Sequence, residues 1–380
     1  MINLSGKAVP LGPEALSHSG MLRLTRNSDL PRPLRKKYGL LSEDSAGDGF
    51  GAVFRKYHGP GLGNSGFRLS TELYHLDDGD VVYVDGATSR LRVLYRRASN
   101  QNSILLTERC NHLCLMCSQP PKSADDSWLM SEAKELVRLI PDDTRELGFT
   151  GGEPTLYGDE FIDLLTLCKS YLPRTAIHVL SNGRAFKDFE FARKYSSIEH
   201  PDLMVGIPIY SDDPVTHNFL VQSDGAFNET IKGILNLKAL GQRVEIRVVL
   251  QRYSVERLEM IASFIARNLL FVDHVALMGL EIMGFTRANL DELWVDPFDY
   301  KDQLSDAVSL LRAYGINVSV YNHQRCLVNE DIMSAYRKSI SDWKNEFLDN
   351  CEGCLKKNEC GGFFFSQIRY KTSAHIRPFR

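Results

Sequence analysis

The hydrophobic pattern of the chain changes character near residue 100. Before it, periodicity is weak until Val81-Val-Tyr-Val84, the turn at Asp85-Gly86, and Leu91-Arg-Val-Leu-Tyr95, which together predict a β-hairpin. Gly47 to Gly66 is glycine-rich, includes His58-Gly-Pro-Gly-Leu-Gly63, and reads as loop. Residues 1–100 are therefore expected to form a small β-rich domain, serving either as a scaffold or recognition element or as a packing extension. From Asn102 onward, short apolar runs alternate with helical stripes. The runs are Ser103-Ile-Leu-Leu-Thr107, Glu146-Leu-Gly-Phe-Thr150, Ala176-Ile-His-Val-Leu180, Leu203-Met-Val-Gly-Ile207, Val244-Glu-Ile-Arg-Val-Val-Leu250 and His274-Val-Ala-Leu-Met278. Between them, Ser131 is read as a helix cap, Phe161, Leu164, Leu165 and Cys168 form one buried stripe, and Ser254 caps a helix with Leu258, Ile261, Ala262 and Ile265. This alternation predicts an α/β fold of βα units around a parallel sheet, with its chemistry at the carboxyl ends of the strands.

The polar motifs fall at those ends. The first run leads into Cys110-Asn-His-Leu-Cys114-Leu-Met-Cys117, the second into Thr150-Gly151-Gly152-Glu153-Pro154, the third into Ser181-Asn182-Gly183, and the fourth into Ser211-Asp212-Asp213. Three thiolates at C-x3-C-x2-C spacing can hold three corners of an iron–sulfur cube and leave one iron open, since a [4Fe–4S] cluster normally takes four. A zinc site is the alternative, but zinc usually needs a second pair of ligands at knuckle spacing. None follows within about forty residues. Paired glycines allow close backbone approach, and Glu153 offers a carboxylate to a cation. Tyr210, Asp212, Asp213 and His217 are placed near the same mouth, where the acids can also serve as helix caps and Tyr210 as packing.

Composition narrows the setting. The 380 residues carry a net charge of -3 and are 43% hydrophobic, a soluble globular balance with no basic field directed at nucleic acid. No apolar run approaches the ~18 residues of a membrane span. The first thirty residues hold no apolar h-region, so no signal peptide is expected. Eight cysteines without an export signal point to a reducing, cytoplasmic compartment and to metal binding rather than disulfides. Cys168 belongs to a core stripe; the other seven lie at 110–117 and 326–360.

The combination of the cysteine loop with the later Gly-Gly-Glu and Ser-Asn-Gly turns resembles the radical S-adenosylmethionine (SAM) superfamily over residues 102–321. The resemblance implies a partial (β/α)6 TIM-like barrel at 101–321. It implies that Cys110, Cys114 and Cys117 bind a [4Fe–4S] cluster and that S-adenosyl-L-methionine completes the fourth iron. It further implies that Met116 lies against the adenine, that Gly151, Gly152 and Glu153 hold the amino group, that Ser181 and Asn182 contact the ribose, and that Ser211 lies near the carboxylate. Relatives usually carry an arginine shortly after the histidine. Here His217 is followed by Val221 and Gln222, and Arg247 is the substitute for pairing the carboxylate, against a purely structural role for it.

Cys326, Cys351, Cys354 and Cys360-Gly-Gly resemble a shortened form of the SPASM/twitch auxiliary-cluster extension of peptide maturases, at 322–380. Phe364 stands where the full extension has a further cysteine. Four ligands imply one auxiliary [4Fe–4S] cluster, with structural zinc as the alternative. Leu105-Leu-Thr-Glu-Arg-Cys-Asn111, Leu115-Met-Cys-Ser-Gln-Pro-Pro121, Phe149-Thr-Gly-Gly-Glu-Pro-Thr155 and Ser339-Ile-Ser-Asp-Trp-Lys-Asn345 resemble the C-type radical maturase of the His-Xaa-Ser peptide system. That resemblance implies a ribosomally made precursor peptide as substrate, a second radical SAM maturase as partner, and an electron donor such as flavodoxin or ferredoxin. It involves no nucleic acid and no membrane. The other readings are a radical enzyme acting on a small metabolite or nucleoside, and an Fe–S electron-transfer or metal-sensing protein.

Overall fold

The computed structural model describes residues 3–44, 47–57, 66–338 and 345–380. The glycine-rich stretch at His58 to Gly63 and the Ser339-Ile-Ser-Asp-Trp-Lys motif lie outside the described residues. Two compact units are present: residues 1–104 with 130–147 and 167–175, and residues 105–129 with 148–166 and 176–380.

The first unit contains a closed barrel of seven strands: β1 (Ser5–Pro10), β2 (Ser19–Thr25), β3 (Tyr38–Leu41), β4 (Ala52–Arg55), β5 (Phe67–Leu69), β6 (Val81–Asp85) and β7 (Arg90–Tyr95), in the order β1-β5-β4-β3-β2-β6-β7. Strands β6 and β7 form the expected hairpin, with Val84 opposite Leu91 and Asp85 opposite Arg90. The other five strands correct the reading of residues 1–70 as unpatterned and of Gly47–Gly66 as loop throughout. Three of them, β3, β4 and β5, have only three or four residues, too short for a period-2 signal to stand out. Closure compensates, because pairing β1 with both β5 and β7 leaves no open edge. Leu22, Leu24, Phe54, Phe67, Val82, Val84, Leu91 and Val93 fill the interior.

The second sheet has seven strands: β8 (Asn102–Thr107), β9 (Glu146–Gly151), β10 (Ala176–Leu180), β11 (Leu203–Pro208), β12 (Arg243–Leu250), β13 (His274–Gly279) and β14 (Val318–Tyr321), ordered β14-β13-β12-β11-β10-β9-β8. Pairing is parallel from β10 through β14. The expected count of six is corrected to seven: the four-residue β14 was too short to register as a run. Along β12, Val244, Ile246, Val248 and Leu250 are buried on one face, and Glu245 and Arg247 occupy the other. Two helix starts also move. The first helix spans Ser127–Val137, so Ser131 is internal to it rather than its cap. Gln251 caps the short helix Arg252–Glu256, and Ser254 sits inside that helix with its hydroxyl donating to Val249 O at 2.8 Å. Among the described residues, no helix is long and apolar enough to cross a membrane.

Candidate active site

The cysteine loop leaves β8 over a buried carboxylate. Asp126 accepts from Thr107 Oγ1 (2.8 Å), Glu108 N (2.5 Å), Arg109 Nε (3.0 Å) and Tyr157 OH (3.2 Å). These donors hold its carboxyl below the usual range despite the opposing effect of burial, which is the largest single influence. Farther along, the loop is gripped from two sides. Leu113 N and Leu115 N donate to Val221 O and Leu220 O at the end of the helix Pro214–Val221. From the other side, Asn289 Nδ2 donates to Leu115 O (3.0 Å), Thr286 Oγ1 to Met116 O (3.0 Å) and Phe285 N to Cys117 O (2.8 Å). Gly284 permits this approach: its φ is +55°, and a Cβ there would lie 2.4 Å from Cys117 O.

Burial raises the thiol pKa of all three loop cysteines, that of Cys110 to about 11. Partly buried thiols of this kind ionise more readily when positive charge arrives, as a bound metal would supply. Among the described residues, no three His, Cys, Asp or Glu side chains converge on one single-metal position. A four-iron cluster makes no such demand, because its thiolates are spread over the corners of a cube.

The Gly-Gly-Glu turn is clamped against the same loop. Gly152 N donates to Thr107 O and Glu153 N to Arg109 O, both at 2.8 Å. A Cβ on Gly151 would lie 2.4 Å from Thr107 O, and one on Gly152 2.2 Å from Arg109 O. Only glycine fits at both positions. Glu153 is 1% exposed. Its Oε1 accepts from Thr155 N, Thr155 Oγ1 and Ser181 Oγ, and its Oε2 from Asn182 N. All four donors are neutral, and among the described residues no cation pairs with the carboxylate. Burial pushes its pKa up. A buried carboxylate in this state is stabilised by a cationic ligand. Asn182 reaches back to the cysteine loop, with Nδ2 2.6 Å from Asn111 Oδ1.

Ser211 is fully buried, and its Oγ accepts from Asp213 N at 3.1 Å. Asp213 caps the helix Pro214–Val221 through Thr216, and Asp212 forms a two-pronged pair with Arg257 at 2.8 Å for each bond. Tyr210 packs with Met116, Leu220, Val221 and Leu280, beside Cys114. It stacks on His217, whose Nδ1 accepts from Tyr210 N. Arg247 is engaged below this cluster: Nη1 pairs with Glu245 Oε1 (3.1 Å) and Nη2 donates to Met278 Sδ (3.0 Å). Glu245 also accepts from His274 Nδ1 (2.7 Å), and His274 Nε2 meets Ser319 Oγ (2.9 Å).

The second cysteine set shares one pocket, which Cys326, Cys351, Cys354 and Cys360 all line. Arg325, Lys356 and Lys357 also line it, and Ile376, Pro378 and Phe379 close one side. Cys360 Sγ accepts from Arg325 N (3.4 Å) and Gly362 N (3.3 Å). Leu355 N donates to Phe379 O (3.0 Å), and His375 stacks on Phe298 at 4.0 Å.

With this geometry in view, comparison with known proteins is informative. Residues 104–265 match the sequence model of the Radical SAM superfamily. That stretch resembles a radical SAM domain. The chain is 24% identical over 224 residues to a probable GTP 3',8-cyclase of Sulfolobus acidocaldarius, covering 58% of this chain and 68% of the relative. Among solved structures, native anSMEcpe with bound AdoMet and Kp18Cys peptide shares the fold at a TM-score of 0.51 and 16% identity, covering 73% of this chain and 92% of that one. Streptococcus suis SuiB bound to S-adenosylmethionine aligns at a TM-score of 0.49 and 16% identity over 67% of this chain, which spans 54% of SuiB. A radical SAM domain implies a [4Fe–4S] cluster and SAM. The buried thiols, the glycine-only clamp and the uncompensated Glu153 carboxylate fit both.

Sequence reasoning missed several residues that support this site. Asp126, Gly284, Thr286, Asn289 and Arg257 all act on the site or its rim. Thr286 and Asn289, in the Gly-Phe-Thr-Arg-Ala-Asn289 run, lie far along the chain from the carbonyls they hold. Gly284, in the loop after β13, was the one local signal available.

Proposed function

We propose that this chain is a radical SAM peptide maturase. It cleaves S-adenosylmethionine reductively to a 5′-deoxyadenosyl radical and abstracts hydrogen from a ribosomally synthesised precursor peptide, with His-Xaa-Ser repeats as the target. The loop cluster, when bound, supplies the electron that breaks the S–C5′ bond. Cys110, Cys114 and Cys117 hold that cluster, and Met116 packs against adenine. Glu153 receives the ammonium of the methionine moiety, with Gly151 and Gly152 beside it, and Ser181 and Asn182 face the ribose. Ser211 and Arg247 serve the carboxylate. Arg247 Nη2 now donates to a thioether, a weak acceptor, so it can turn to a carboxylate while Nη1 keeps Glu245.

The observation that carries the reading is the buried Glu153 carboxylate, held by four neutral donors and no cation. The choice of peptide rests on the second cysteine set and on anSMEcpe, a protein of shared fold solved with a peptide. The second set is assigned an auxiliary [4Fe–4S] cluster. The likeness of Cys326, Cys351, Cys354 and Cys360 to the auxiliary-cluster extension favours the cluster, and structural zinc on the same four thiolates is the alternative. Flavodoxin or ferredoxin as donor, a second radical SAM maturase as partner and a cytoplasmic setting complete the proposal.

The test is anaerobic reconstitution with iron and sulfide, followed by dithionite, SAM and a His-Xaa-Ser repeat peptide. Roughly eight irons per chain, released 5′-deoxyadenosine and a mass change on the peptide are expected. In a parallel assay with GTP in place of the peptide, GTP consumption with the peptide left unchanged in the first assay would instead favour a nucleotide substrate, the class that the cyclase relative is named for.

A further inference from the structure

One residue of the cysteine loop contacts two ligand sulfurs and has no role assigned above. His112 lies between Cys110 and Cys114 and is 4% exposed. Its backbone N–H donates to Cys110 Sγ at 3.4 Å, and its ring Nδ1 lies 4.0 Å from Cys114 Sγ. Its Nε2 is buried with no hydrogen-bond partner among the described residues.

The tautomer follows from these contacts. A neutral imidazole has one N–H and one lone pair. A proton on Nε2 would strand a buried donor, at a cost of about 1–3 kcal/mol. A proton on Nδ1 faces a thiolate sulfur. The neighbouring ring does not relieve Nε2. His217 uses Nδ1 to accept from Tyr210 N, and its own Nε2 is likewise buried without a partner.

We propose that His112 sets the reduction potential of the loop cluster through an Nδ1–H···Sγ hydrogen bond to Cys114. This rests on the reading that Cys110, Cys114 and Cys117 hold a [4Fe–4S] cluster. Reduction adds negative charge to the cluster and its thiolates, so a donor aimed at a ligand sulfur favours the reduced form. Hydrogen bonds to the sulfurs are among the factors that fix such potentials. The same bond fixes the side chain of Cys114.

The experiment compares His112→Asn, His112→Gln and His112→Leu in the full-length, iron-loaded enzyme. An Asn amide nitrogen falls near the Nδ1 position, a Gln amide near Nε2, and Leu has neither; the backbone N–H to Cys110 remains in all three. The loop cluster is followed by the electron paramagnetic resonance signal that changes on adding SAM. The expected result for Leu and Gln is a reduction equilibrium shifted about tenfold toward the oxidised state, which for one electron is about 59 mV. Asn stays near wild type. An exchangeable proton coupled to the cluster, read by D2O exchange, should persist in wild type and Asn and be lost in Leu and Gln. Unchanged potential and coupling in Leu would overturn the proposal. If Leu fails to load iron, the Asn and Gln pair decides: equal potentials overturn it, and a higher potential for Asn supports it. A wild-type loop that binds no iron overturns the cluster reading itself.

Discussion

The two cysteine sets are built on opposite principles. In the loop at 110–117, three thiols share one short segment, and distant elements hold its backbone: Val221 and Leu220 carbonyls on one side, Thr286 and Asn289 side chains on the other. In the second set, four thiols come from separate stretches between Cys326 and Cys360, and the cavity among them is walled by Ile376, Pro378 and Phe379. The first arrangement fixes the positions of three thiols from outside their own loop. The second gathers four thiols around one pocket. Three thiolates would leave a four-iron cluster one open corner, which suits chemistry, and four would fill every corner, which suits stability or electron storage.

The sharpest test of that contrast removes one set at a time. Replacing Cys110, Cys114 and Cys117 by alanine should abolish 5′-deoxyadenosine release and retain about half the iron. Replacing Cys326, Cys351, Cys354 and Cys360 should lose the other half and leave SAM cleavage measurable. Iron analysis and chromatography of the nucleoside decide it; cleavage surviving the first substitution would break the assignment.

The next effect concerns the ligand. Glu153→Gln removes the negative charge yet keeps an acceptor, so calorimetry on loaded enzyme should show SAM affinity weakened by at least about tenfold, as expected for losing a charge-assisted bond of ~1.5–3 kcal/mol. Unchanged affinity would detach the Gly-Gly-Glu turn from the ammonium.

Smaller changes probe the two kinds of support. Thr286→Val strands the buried Met116 carbonyl and should destabilise by about 1–3 kcal/mol in denaturant titration, lowering iron retention at the loop alone. Phe379→Ser opens the wall of the second cavity. It should speed oxygen bleaching of that site and leave the SAM-responsive signal unchanged.

The mildest test uses the metal-free protein. Burial raises Cys110 to about 11, so the thiolate that alkylating reagents attack forms only as pH rises toward that value. Alkylation of Cys110, followed by mass spectrometry, should stay slow at pH 8 and climb toward pH 11. A half-point near the ordinary ~8.5 of a free thiol would mean that the loop is open to water without its cluster.

Much of this was legible in one dimension. The alternation of apolar runs and helical stripes located the strands that precede every motif, because strand period and helix stripe are written in neighbouring residues. The Cys110–Cys117 spacing and the glycines at 151 and 152 signalled a site for the same reason. Short strands escaped: β3, β4, β5 and β14 hold four residues or fewer, and pairing partners rather than their own pattern make them strands. Ser131 and Ser254 misled because a cap residue type inside a helix looks the same in sequence as one at its start.

Sequence alone thus determined the chemistry that is available: three thiols on one loop, a carboxylate behind paired glycines, and four further thiols downstream. Only the tertiary structure decided what holds that loop and what surrounds it. Thr286 and Met116 are separated by 170 positions, and their contact ends on a backbone carbonyl. Every residue carries such a carbonyl, so the partner leaves no mark in the residue types. The same holds for Asp126 under the loop and for His112 against Cys114, whose burial and direction exist only once the chain has packed.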